Sequence, residues 1–200
     1  LLVGPEPDFA WNGFVDAVTD VVDAAGVSLV VVLGAIPWPT PHTRPLDVSA
    51  HGTDPRRVES YRSWVSSIQI PGHVGGLLEL RLGQSGREAM GFAVHVPQYL
   101  AQYGYPRAAV RLLEAVADST DLELPADQLT DAAQRVDEEI VEHVTGSPEL
   151  AEAVRALEGR YDALHDGSLS ELGVNGELPS GDDIAASLET YLAEQASKGE

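Results

Sequence analysis

In "DFAWNGFVDAVTDVVDAAGV" the positions Phe9, Phe14, Val18, Val21, Val22 and Ala25 recur three and four residues apart. That period places them on one helical face, with Asp8 set to cap the first turn and Gly26 just past the end. The next run, "VSLVVVLG", does not alternate and is too short for a free helix, so it predicts a strand covered on both faces. "LDVSAHG" predicts another short strand and "DPRRVESYR" a proline-started helical turn. "VGGLLELRLGQSG" predicts a helix weakened by Gly75 and Gly76, and "AMGFAVHV" a strand. Helix and strand recurring in this order predict parallel strands joined by right-handed crossovers.

From Pro106 the pattern becomes helical throughout. "PRAAVRLLEAVADST", "PADQLTDAAQRVDEEIVEHV" and "SPELAEAVRALEGRYDAL" each open on Pro or Ser and repeat apolar residues at helical spacing. A polar, Gly-rich connection follows, and then a last helix, "DDIAASLETYLAEQA", with Ile184, Leu188, Tyr191 and Leu192 on one stripe. The expected fold class is α/β: an open, mostly parallel sheet flanked by helices over residues 1–117, then a helical extension over 118–200. The opening "LLVG" reads as the second half of a buried strand, so an N-terminal portion carrying further strands is expected before it.

Charge sharpens that division. Of the net −20, residues 1–117 carry 11 acidic and 8 basic side chains, whereas residues 118–200 carry 21 acidic and 4 basic ones. A field of that sign repels phosphate backbones and anionic lipid heads, so neither nucleic acid nor membrane is an expected partner. No apolar run reaches the roughly 18 residues of a membrane span, and a cytoplasmic location is expected. With no cysteine, disulfides and thiolate metal sites are ruled out. The sole lysine, Lys198, is the third residue from the end, which excludes a buried Schiff-base lysine.

The candidate chemistry gathers at strand ends. "GAIPWPTPHTRP" follows the apolar strand and crowds prolines around Trp38, His42, Thr43 and Arg44. Prolines fix φ, so such a loop presents His and Arg with little entropy left to lose. In open α/β sheets ligands collect at the carboxyl ends of the strands. "GPEP" brings Glu6 to a neighbouring position, facing Arg44 or His42, and "HVPQY" brings His95 and Tyr99. Each has a plainer reading: Arg44 pairing with an Asp, Trp38 packing on the next loop, Glu6 in a tight turn, His95 as a satisfied core histidine. "PGHVGG" lacks the Lys-Ser/Thr of a triphosphate loop and reads as a turn allowing close packing. "GQSGR" has Arg87 where a nucleophile elbow needs Gly. Glu138, Glu139, Glu142 and His143 form a charged helix face with too few histidines for a metal. No catalytic residue, metal or cofactor is assigned.

Four stretches together, "LLVGPEPDFAWNGF", "GVSLVVVLGAIPWPTPHTRP", "FAVHVPQYLA" and "LPSGDDIAASLETYL", resemble the actinobacterial branch of the proteasome assembly chaperone family of the second type. The resemblance implies one open α/β sheet similar to a nucleoside phosphorylase core, with a C-terminal helical extension. It implies a protein partner, with proteasome core subunits as the candidates, and a homo-oligomer. Some archaeal relatives dock through a terminal hydrophobic-tyrosine-any-residue signature; this chain ends "ASKGE" and does not carry it.

Two functions remain in view. One is a non-enzymatic protein-binding or assembly factor acting through shape and an exposed apolar face, with the aromatics Trp38, Tyr99, Tyr103 and Tyr105 on loops. The other is an enzyme acting on a small anionic substrate at the strand-end rim, either a phosphorylase-like transferase or a carboxylate–amine ligase; it rests on fold analogy alone.

Overall fold

The computed structural model describes residues 1–61 and 71–166. The Gly-rich connection from residue 167 and the last predicted helix lie outside the described residues.

Helix α1 spans Trp11–Ala24 and buries Val15 and Val22, with Phe14 and Val18 packed beside them. Asp8 does not cap it. Ala10 precedes the first turn in the left-handed region, at φ 59°, and its carbonyl accepts from Phe14 N. The Trp11 indole donates to the Pro7 carbonyl at 2.6 Å and pins the incoming chain. After α1, Gly26 at φ 62° turns the chain into strand β1, Leu29–Trp38. Strand β2, Val48–Gly52, follows the proline loop; a 3₁₀ turn, Pro55–Tyr61, and helix α2, Val74–Gln84, lead on toward strand β3, Glu88–Pro97. Helices α3, Pro106–Ser119, α4, Asp127–Gly146, and α5, Pro148–His165, complete the described order.

The sheet runs β1-β3-β2. β1 and β3 are parallel, in register from Leu29 opposite Glu88 to Trp38 opposite Pro97, while β2 lies antiparallel to β3. The sheet is therefore mixed. Residues 39–47 stay at one end of the sheet, passing over the end of β3, and a connection that never crosses a face returns the next strand reversed.

β3 separates two cores. Met90, Phe92, Val94 and Val96 face α3 and α4, sharing a cluster with Ala115, Val116 and Ile140. Ala89, on the alternate face, joins Val15, Val22, Leu78 and Leu82 of α1 and α2. This is the two-residue period of a strand with both faces covered.

β1 differs from expectation. Its first residues are packed, Val30 against the α1–α2 cluster and Leu29 and Val31 against the other, but Leu33, Gly34 and Ala35 are exposed. Among the described residues β1 lies at the edge of the sheet, bonded to β3. Nor does "LLVG" form a strand: Leu1, Leu2 and Val3 are exposed, with no strand beside them among the described residues. Among the described residues no helix is long and apolar enough to cross a membrane.

Candidate functional site

The proline loop and the turn after β3 meet at the carboxyl ends of the parallel pair. Trp38 and Pro97 close the β1–β3 register, so the residues just beyond them are neighbours. Tyr99 lies in the 3₁₀ turn Gln98–Leu100, and its hydroxyl accepts from His42 N at 2.8 Å and bonds His42 Nδ1 at 2.7 Å. His42 is buried, 4% exposed, and burial lowers its pKa. Burial likewise pushes the Tyr99 hydroxyl up to about 12, against the opposing His42 N–H bond. Arg107 of α3 donates to the His42 carbonyl at 3.0 Å and ties the loop to the helix.

Trp38 lies against His95, ring centroids 4.7 Å apart and tilted by 31°. His95 is 3% exposed; its Nε2 meets Ser49 Oγ at 2.8 Å and its backbone N–H donates to the Asp47 carbonyl. Among the described residues its Nδ1 has no hydrogen-bond partner, and burial holds its pKa below the ordinary imidazole value.

Thr43 and Arg44 reach α5. Arg44 meets Asp162 through Nε–Oδ1 and Nη2–Oδ2 bonds, both 2.6 Å, and approaches Glu158 at 3.3 Å. Thr43 Oγ1 donates to the same Glu158 at 2.5 Å. Glu158 and Asp162 are four residues apart and so share one helical face. Tyr161 on that helix is buried and donates to the Pro45 carbonyl at 3.2 Å. The Arg44 bond lowers the Asp162 carboxyl, and Asp162 raises the Arg44 guanidinium. The stiff loop thus holds the acidic α5 against the sheet end.

The structure therefore joins Trp38 with His95, His42 with Tyr99, and Thr43 with Arg44 at one end of the sheet. Glu6 does not face Arg44 or His42. Its carboxylate accepts from Val74 N at 2.5 Å, at the α2 N-terminus, where free backbone N–H groups and the helix dipole favour an anion. In the same turn His73 Nδ1 accepts from Gly76 N at 3.2 Å. Gly75 serves close packing: a Cβ there would come within 2.8 Å of Val32 Cγ1. Among the described residues no group of three or more His, Cys, Asp or Glu could hold a metal ion.

Sequence reasoning passed over His51 and Glu79. They form a 2.7 Å contact between β2 and α2, beside a cleft of about 520 Å³. The available signal was Gly91, a glycine inside a strand pattern, which marks a close approach.

With this geometry in place, kinship can be stated. The model of the PAC2 family matches residues 1–144, and the chain belongs to that family. A Mycobacterium tuberculosis protein of unknown function is 42% identical, with TM-score 0.80, over 84% of this chain and 57% of its own. A Mycobacterium tuberculosis proteasome-assembly chaperone homologue is 32% identical, with TM-score 0.67, over 76% of this chain and 64% of its own. An archaeal proteasome activator from Pyrococcus furiosus, 19% identical with TM-score 0.56 over 71% of this chain and 62% of its own, shares the fold. The chain thus spans less than two thirds of the length of these relatives. No curated protein matches.

Proposed function

We propose that this chain is a protein-binding, chaperone-type assembly factor, with proteasome core subunits as its partner class. The observation carrying this reading is the contrast between its two sheet margins. At the rim, the polar side chains that would serve catalysis are engaged within the chain: Arg44 and Thr43 by α5, His42 by Tyr99, His95 by Ser49. A small anion there would first have to displace the Asp162 carboxylate from the Arg44 fork.

The β1 margin is the reverse. Among the described residues no strand lies on its outer side, Leu33 is 43% exposed, and Phe9, Val21 and Val27 are exposed on α1 and its flanks. Exposed apolar side chains supply the desolvation that drives association. The chaperone homologue among the solved relatives supports this class of partner. The rim assembly of Trp38, His42, Thr43, Arg44, His95 and Tyr99 is the stiff frame that keeps β1 and α5 in place. The reading includes a cytoplasmic location and self-association through the same apolar margin.

The test is native mass spectrometry of the full-length parent protein mixed with purified core subunits. A defined complex that weakens in Leu33→Glu is expected; the absence of any complex at micromolar concentrations contradicts the reading.

A further inference from the structure

Independently of the partner reading, the α2 side of the sheet carries a second polar construction. His51 stands directly opposite Gly91 in the β2–β3 register, so the two share a face, and the glycine leaves that face vacant. The imidazole lies in the space. Glu79 reaches down from α2 and its Oε1 meets His51 Nδ1 at 2.7 Å. A Cβ on residue 91 would stand 2.4 Å from His51 Cε1 and 2.8 Å from Glu79 Oε2, so this placement requires glycine. Glu79 is 9% exposed, whereas half of the His51 side chain is open. The opening leads to the cleft of about 520 Å³, bordered by Thr53, Leu80 and Gln84. A buried carboxylate and a mid-strand glycine each destabilise a fold. Together they fix one imidazole by Nδ1 and leave half of its side chain open beside the cleft.

We propose that His51 and Glu79 form a general-base dyad acting on an uncharged acyl substrate with water as the nucleophile, Glu79 being the positioning residue. His51 Nε2 accepts a proton from water as the water oxygen bonds to the carbonyl carbon. The tetrahedral intermediate collapses, the bond from carbon to the leaving oxygen breaks, and that oxygen takes the proton back from Nε2. Acid and alcohol leave, and His51 returns to its starting state. An uncharged substrate suits a cleft that no arginine lines among the described residues, since Arg57, Arg81 and Arg87 turn to Glu88, Asn12 and Asp23.

The electrostatics agree with the geometry. The Glu79 hydrogen bond raises the His51 pKa against the lowering effect of burial, β3 presents only Gly91 to the ring, and Glu79 is the one charge contributing. The free base therefore grows in as pH rises through a value above 6.5.

The test is hydrolysis of p-nitrophenyl acetate by the whole chain, followed against pH. His51→Ala is expected to lose about a hundredfold in rate, the usual contribution of a positioned base. Glu79→Gln is expected to slow the reaction and move its pH midpoint downward, which a merely structural link would not do. Hydrolysis by folded His51→Ala at the parent rate overturns the proposal, and so does Glu79→Gln with rate and midpoint both unchanged. Should His51→Ala fail to fold, carbethoxylation of the parent, with His51 modification read by peptide mass, replaces it. Rate lost in step with His51 modification supports the dyad, and rate surviving full modification overturns it.

Discussion

Arg44 and Asp162, 118 positions apart, meet as two parallel hydrogen bonds of 2.6 Å each, so a loop at the sheet end grips the last described helix. Both side chains remain partly open to water, and the pair orders α5 more than it stabilises the fold. Arg44→Ala is expected to speed amide hydrogen exchange across residues 148–165 and leave β3 protected. The Asp162 pKa is lowered by Arg44, so its contribution is complete above the ordinary carboxyl value of 3.8 and disappears as pH falls through the lowered one. Exchange in α5 should therefore quicken in acid, and Arg44→Ala should abolish that dependence.

Tyr99→Phe removes the hydroxyl that serves both His42 N and His42 Nδ1. It leaves buried polar groups without a partner, at a cost of about 1–3 kcal/mol, to be read by urea unfolding. The phenyl ring still fills the space, so a neutral outcome would show that the loop does not depend on this hydroxyl.

Gly91→Ala should destabilise by about 1–3 kcal/mol, because the new methyl forces His51 and Glu79 aside on a fully packed strand. Combined with His51→Ala it should recover part of that loss, since one of the two obstructing groups is gone. A thermal-melt comparison of the single and double variants measures the recovery.

The histidines give pH effects of opposite sign. His51 has its pKa raised, so its stabilising contribution is complete below 6.5 and lost as pH rises through the folded value. His42 and His95 have theirs lowered by burial, so they favour the fold above 6.5 and oppose it as pH falls through their folded values. Nuclear magnetic resonance titration of the imidazoles should place His51 above and the other two below the ordinary value.

Local pattern carried much of the fold. The spacing of Phe14, Val18 and Val22 located α1, and the run "AMGFAVHV" located β3, but two covered faces were expected of "VSLVVVLG" and belong to β3 instead. The end of β1 was harder, because Pro37 looks like a loop residue; it fits at a sheet edge, where a missing N–H can be tolerated. The direction of β2 depended on a loop staying at one end of the sheet, which residue type does not encode. At the site, the strand-end rule gathered Trp38, His42, Arg44, His95 and Tyr99. The plainer reading of Arg44, pairing with an Asp, is the one realised, with Asp162 as the partner, whereas residue type could not foretell that Glu6 belongs to the α2 N-terminus. His51 and Glu79 escaped notice because their meeting is made by the absence of a side chain at residue 91.

The most direct measurement is hydrogen exchange of the full-length protein with and without purified proteasome core subunits. Binding through the open margin predicts slowed exchange at residues 29–38, concentrated on Leu33 to Ala35, with β3 unchanged. Unaltered exchange along β1 in a mixture where a complex has formed, or no complex at all, would contradict it.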